Sequence, residues 1–186
     1  MSCTKKRAAS LTAILCLIAS IAATANPRMG RPMIIHRLPE LNLEIWTEQD
    51  PEWETHLDET ARAPTFVAEP PALSYPPAHM SWTTLPQLTF PQEHMEAATR
   101  GVLHQMAINY GVSPPKVLRQ RQYGDLVGYE ATFQAVSDDL PIDVRVFCGH
   151  REGKPAVVMQ VVTLRDKLPH LSEHIRRSWT NVRYLD

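Results

Sequence analysis

The sequence predicts an α+β domain, an antiparallel sheet of about four to six strands with two main helices packed against it. Three observations lead there. Residues 92–110 and about 169–180 have the 3.6-residue period of half-buried helices. Between them lie three or four segments with the two-residue period of strands. The breaks between those strands are short and rich in turn residues, which favours hairpins over helical crossovers.

In chain order, the first feature is an address. Lys5, Lys6 and Arg7 precede an apolar run from Ala8 to Ala23, which ends in the small residues Ala23-Thr24-Ala25. This is the three-part layout of a secretory signal, and the run is short of the roughly 20 residues a permanent membrane helix needs. Cleavage after Ala25 is therefore expected. Lipid attachment at Cys16 is disfavoured because Ile14-Leu15, not a small residue, precede it. Residues 26–40 carry Pro27, Pro32 and Pro39 without a sustained period and read as a lead-in segment.

Residues 41–186 are expected to form a single domain. In "LNLEIW" Leu41, Leu43 and Ile45 alternate with Asn42 and Glu44, as in a half-buried strand. "TEQDPEWETHL" reads as a turn in which Trp53 covers one end of the core. Residues 64–91 contain seven prolines and read mainly as a connection, with a short strand around "SWTTL". In the first helix Met95, Ala98, Val102, Met106 and Tyr110 are placed inward, and Glu93, Glu96, Arg100 and His104 outward. Pro91 suits its first turn and Gly111 its end.

"KVLRQRQY", "VGYEATFQA", "IDVRVFC" and "AVVMQVVTL" are the strand candidates that follow. The second has one wet face in this reading, bearing Glu130. The last is apolar nearly throughout, as in a strand covered on both faces. In the second helix Leu171, Ile175, Ser178 and Trp179 are placed inward, with Glu173, Arg176 and Arg177 outward.

The chain has 19 basic and 20 acidic residues. Loss of Lys5, Lys6 and Arg7 with the signal leaves 16 against 20, a net charge near −4. No basic stripe interleaved with aromatics is present, which argues against nucleic acid and anionic membranes as partners. No second long apolar stretch follows the signal, so no transmembrane span is expected after cleavage. Cys3 and Cys16 leave with the signal, and Cys148 alone remains, so no internal disulfide can form.

No catalytic, cofactor-binding or metal site is read from the residues. Cys148 could pair with His150 or His104 as a nucleophile, but it continues the apolar row Ile142, Val144, Val146, where free cysteine is a small buried hydrophobe. His170 and His174 have the four-residue spacing of a helical metal pair but no third ligand at a suitable offset. Asp138-Asp139 and the acids Glu48, Asp50, Glu52 and Glu54 lack the glycine and closing glutamate of a calcium loop. No serine sits in a glycine-flanked strand-to-helix turn, and the seven glycines form no phosphate loop. The tryptophans read as core anchors or, less simply, as the lining of an apolar groove.

The order of elements, with "LNLEIW" and "PEW", the helix before "GYEATF", and "AVVMQVVTL" leading to "IRRSW", resembles the Mog1/PsbP-like fold, over about residues 80–185. Within that fold it is similar to the exported DcrB-like proteins. The proline-rich connection departs from that fold's compact form. The resemblance implies an envelope protein that acts by contact and has no active site.

The expectation is thus an exported periplasmic, non-enzymatic binding or accessory factor for an envelope protein or a small apolar ligand. Its candidate partner contacts are His150 and Arg151, at an expected exposed turn of residues 149–155, and Tyr75 and Trp82 from the proline-rich connection. Two alternatives stand beside it. One is a small periplasmic enzyme whose site assembles only in the fold, from residues such as His104, His150 and Glu130. The other is a subunit of an envelope secretion or assembly machine.

Overall fold

The computed structural model describes residues 31–60, 63–86, 89 and 91–186. The expected signal, its cleavage point and the start of the lead-in segment lie outside the described residues. Among the described residues ten strands and two α-helices form an α+β fold, with every strand pair antiparallel. The sheet structure exceeds the expected four to six strands because both proline-bearing stretches contribute strands of their own and residues 54–58 and 183–184 add two more.

The first of these is β1 (Met33–Leu38). It pairs along its whole length with β2 (Leu43–Glu48), so the lead-in reading is corrected from residue 33 onward. Pro32 and Pro39 bracket the strand and do not interrupt its ladder. The same holds in the proline-rich connection. Here β4 (Thr65–Glu69) pairs β5 (Ala78–Leu85), and its other edge pairs β3 (Glu54–Asp58), a strand that lies before the connection, where a turn was expected. Between Pro77 and Pro86 eight residues are free of proline, long enough for a fully paired interior strand.

After Pro91 a short 3₁₀ turn, Gln92–His94, leads into α1 (Met95–Asn109). Its C-terminus closes with Gly111 in the left-handed region, φ 66°. Val112 N–H donates to Ala107 O at 2.9 Å and Gly111 N–H to Ile108 O at 3.0 Å, the paired bonds of a Schellman cap. The buried residues of α1 are Met95, Thr99, Leu103 and Ala107. Ala98, Val102 and Met106 are half-buried, so the inward face is turned one residue from the expected stripe.

The chain continues through β6 (Arg119–Tyr123), β7 (Leu126–Ser137), β8 (Leu140–His150) and β9 (Ala156–Leu164). Asp138 and Asp139, with φ 50° and 63°, form the two-residue turn between β7 and β8. Both positive φ values match a type I′ hairpin, whose twist suits the flanking strands. Then come α2 (Leu168–Trp179) and β10 (Arg183–Tyr184).

One sheet has the order β1-β2-β10; the other runs β3-β4-β5-β9-β8-β7-β6. The nearly continuous apolar strand β9 is the central one of the seven, as its composition predicts. Its two faces enter two cores. On one side Val157, Met159 and Val161 join Trp82, Phe147, Tyr123, Leu171, Ile175 and Trp179 beneath α2 and the smaller sheet. On the other, Val158 and Val162 border Leu103 of α1, with Ala131, Phe133, Val144 and Val146. Trp53, Trp82 and Trp179 are buried core anchors.

Candidate functional site

Among the expected contact residues, Tyr75 is 70% exposed. Arg151 is partly exposed and already committed. It donates to Asp186 at 2.7 Å and to Asp125 at 3.5 Å, and its guanidinium lies 5.3 Å from the Tyr184 ring centroid. The other two residues are corrections. Trp82 is fully buried, because the proline-free stretch around it became β5 and its register sets the indole against Phe66 in the main core. His150 is fully buried as well. The β8 ladder runs through Gly149 to His150, opposite Val127, so the turn begins at Arg151 instead of Gly149.

The residues around Tyr75 form a distinctive end of the molecule. Between β4 and β5 the segment Pro70-Pro71-Ala72-Leu73-Ser74-Tyr75-Pro76-Pro77 is stiffened by four prolines, each fixing its own φ. Ser74 N–H donates to Pro71 O at 2.7 Å, and Thr163 Oγ1 donates to Pro77 O at 2.6 Å, anchoring the loop to β9. The Lys167 ammonium stands 5.6 Å from the Tyr75 ring centroid. Held this way, Leu73 is completely exposed.

Beside the loop runs a shallow groove of about 250 Å³, lined mainly by Pro77, Ala78, Ile142, Val162 and Leu164, with Glu69 and His79 also on its wall. His79 Nδ1 and Glu69 Oε1 pair with each other at 2.9 Å. Leu140, 55% exposed, continues the inward row of β8 past Ile142 to this end of the sheet. Leu73, Tyr75 and Leu140 are thus three large apolar side chains that stay exposed in this part of the fold.

Two buried charge clusters lie elsewhere, and neither was foreseen. Glu130, expected on a wet face, is 6% exposed. Its Oε2 accepts from Tyr123 Oη at 2.6 Å, from Arg145 Nη2 at 2.7 Å and from Arg145 Nε at 3.0 Å. Arg145 also lies over the Trp179 ring, at 5.4 Å. Burial works against the Arg145 charge, but attraction and hydrogen bonding to Glu130 outweigh it and hold the guanidinium more firmly protonated. Burial and the bond to Glu130 push the Tyr123 phenol up to about 12.

The second cluster docks α2 on β2. Glu48, 3% exposed, accepts from Arg177 Nη1 at 2.9 Å through Oε2, and its Oε1 lies 3.1 Å from His174 Nδ1. Arg177 also donates to Arg31 O. Arg177 was expected to face solvent; its side chain is 12% exposed because it folds down onto the buried carboxylate. His174 is turned to Glu48 and the Trp53 ring, while His170 stays exposed, so the two helical histidines do not meet at a common point.

Cys148 is fully buried on the α1 side of the sheet, where burial pushes its thiol up to about 11, partly offset by the Thr99 hydroxyl. His104 is exposed on α1. Glu130 points to the opposite sheet face, into the core shared by Tyr123 and Trp179. His104, His150 and Glu130 are thus not brought together. Among the described residues no helix is long and apolar enough to cross a membrane.

No family model matches the chain, and no curated protein matches it. Among solved structures, a Bacteroides thetaiotaomicron crystal structure is similar over 83% of this chain and 49% of its own, at a TM-score of 0.53 and 7% identity. A Pseudomonas aeruginosa protein of unknown function, PA94, is similar over 80% of this chain and 94% of its own, at a TM-score of 0.45 and 14% identity. The chain spans about half the length of the Bacteroides structure. At 7% identity that likeness speaks to the arrangement of strands and helices, not to activity.

Proposed function

We propose that this is an exported, non-enzymatic protein of the bacterial envelope that works by binding another protein through its proline-loop end. The observation that carries the reading is the pair Leu73 and Tyr75, exposed at 100% and 70% on a proline-braced loop beside the apolar groove of Ile142, Val162 and Leu164. A leucine held fully in water by a stiff loop loses little conformational entropy when a partner covers it. The signal-like first 25 residues support export to the periplasm, and the resemblance to the exported DcrB-like proteins supports an accessory role. The same surface suits a subunit of an envelope assembly.

The test is site-specific photocrosslinking in intact cells from position 73, with position 108, an exposed isoleucine on α1, as the control. A discrete adduct from position 73 that disappears in the double variant Leu73→Asp/Tyr75→Asp supports the reading. Equal labelling from both positions, or none from position 73, overturns it.

A further inference from the structure

Where β6 stops at Arg119, β7 continues for seven more residues paired only to β8. At that step lies a notch of about 180 Å³, lined by Val117, Arg119, Glu130, Ala131 and Thr132.

The notch contains one side chain of a kind that needs explaining. All the hydrogen bonds to Glu130 converge on Oε2, leaving Oε1 with no donor among the described residues. Oε1 is also not among the sealed atoms that lack a partner, and Glu130 is one of the residues that line the notch. A carboxylate oxygen in so enclosed a setting wants a donor, because the remainder of the group is already withdrawn from water.

The charges around it narrow what that donor can be. Arg145 already balances Glu130, and Arg119, directly across from Glu130 in the ladder and exposed, has no ion-pair partner among the described residues. A simple amine would satisfy Oε1 but would sit among two guanidinium groups and one carboxylate. A simple anion would satisfy Arg119 and leave Oε1 without a donor. A group carrying both charges side by side answers both, and directly opposed cross-strand residues are about 5 Å apart at Cβ, which suits adjacent ligand charges. The exposed Thr132 hydroxyl adds a further donor and acceptor, and exposed Val117 an apolar wall.

We propose that this notch binds a small zwitterion of the α-amino-acid class, with its ammonium on Glu130 Oε1 and its carboxylate on Arg119. The site is separate from the proline-loop surface and does not depend on that reading. Titration of the isotopically labelled protein with L-alanine, followed by amide NMR, should give saturable shifts centred on residues 117–119 and 130–132. Acetate and ethylammonium, each half of the ligand, should bind about tenfold more weakly, as should L-alanine to Arg119→Ala, the worth of one charged hydrogen bond.

Arg119 is exposed, so its substitution leaves the fold intact; Glu130→Gln, which keeps the shape of the buried cluster, should weaken binding similarly. Absence of saturation with L-alanine overturns the proposal. So does acetate binding as tightly as L-alanine, which would mark a simple anion contact at Arg119, and so does unchanged affinity in either variant.

Discussion

Raising the pH from about 8 to about 11 should remove on the order of 5 kcal/mol of folding stability. Three buried groups set the figure: the thiol of Cys148, moved from an ordinary value of 9.0 to about 11, and the phenols of Tyr123 and Tyr184, moved from 10.0 to about 12. Burial is the leading cause in all three. Each group holds its proton more tightly folded than unfolded, so its contribution is complete below the unfolded value and is lost as pH climbs toward the folded one. One pH unit is worth about 1.4 kcal/mol per group, so by pH 11 the thiol has given up roughly 2 to 3 kcal/mol and each phenol roughly 1 to 2. That is a large part of the 5–15 kcal/mol typical of a whole domain. Urea unfolding at the two pH values, read by far-UV circular dichroism, measures the loss directly. Cys148→Ala should lower stability at pH 8 yet remove about half of the alkaline loss, because it deletes the group that titrates first. An unfolding midpoint that stays put between pH 8 and 11 would refute the reasoning, since it would mean that these groups ionise as freely in the fold as outside it.

Three further outcomes follow from the same structure. At neutral pH, labelling of the Cys148 thiol by a soluble disulfide reagent should proceed only as fast as the protein opens, and labelling at the rate of a free thiol would place it at the surface. Glu48→Gln should cost about 3 kcal/mol in urea unfolding, because Arg177 is left enclosed without its counter-charge; a cost below about 0.5 kcal/mol would reduce the cluster to an ordinary surface pair. Gly128→Ala should prevent folding or lower the melting temperature steeply, since an added Cβ would lie 2.0 Å from the Cys148 carbonyl oxygen across the ladder, and a variant that melts like the parent would contradict that close approach.

The fold class and the second helix were legible because they rest on period alone. Leu171, Ile175, Ser178 and Trp179 are all buried, and β9, the most apolar stretch, is the central strand of seven. Strand β3 falls in the stretch that reads as a turn around Pro51; β1 and β4 were missed for a different reason. Proline density was read as an average over residues 64–91 and 26–40, whereas a ladder depends only on where each proline falls. Pro32 and Pro39, or Pro77 and Pro86, stand just outside the paired residues and serve as stops. Had the gaps between prolines been read instead of their number, "MIIHRL" and "AHMSWTTL" would have stood out as strand-length segments.

The charged clusters were missed because alternation tells which residues share a face but not how far along the strand that face is covered. Twelve-residue β7 shows the consequence. Its even-numbered residues Leu126, Gly128 and Glu130 are buried, while Thr132, Gln134 and Val136, on the same face, are exposed. Its odd-numbered residues do the reverse, half-buried at Val127 and Tyr129 and buried at Ala131, Phe133 and Ala135. Each face is covered over only part of its length, so the buried side changes between Glu130 and Ala131. A charge at the changeover is drawn into the core by its neighbours on one side yet remains within reach of solvent on the other. That is the setting in which Glu130 can give one oxygen to Tyr123 and Arg145 and keep the second for whatever enters the notch. In this chain the sequence signal for such a place is a charge inside a strand whose two apolar rows both run to core-like length, a pattern met again at Arg145 between Val144 and Val146.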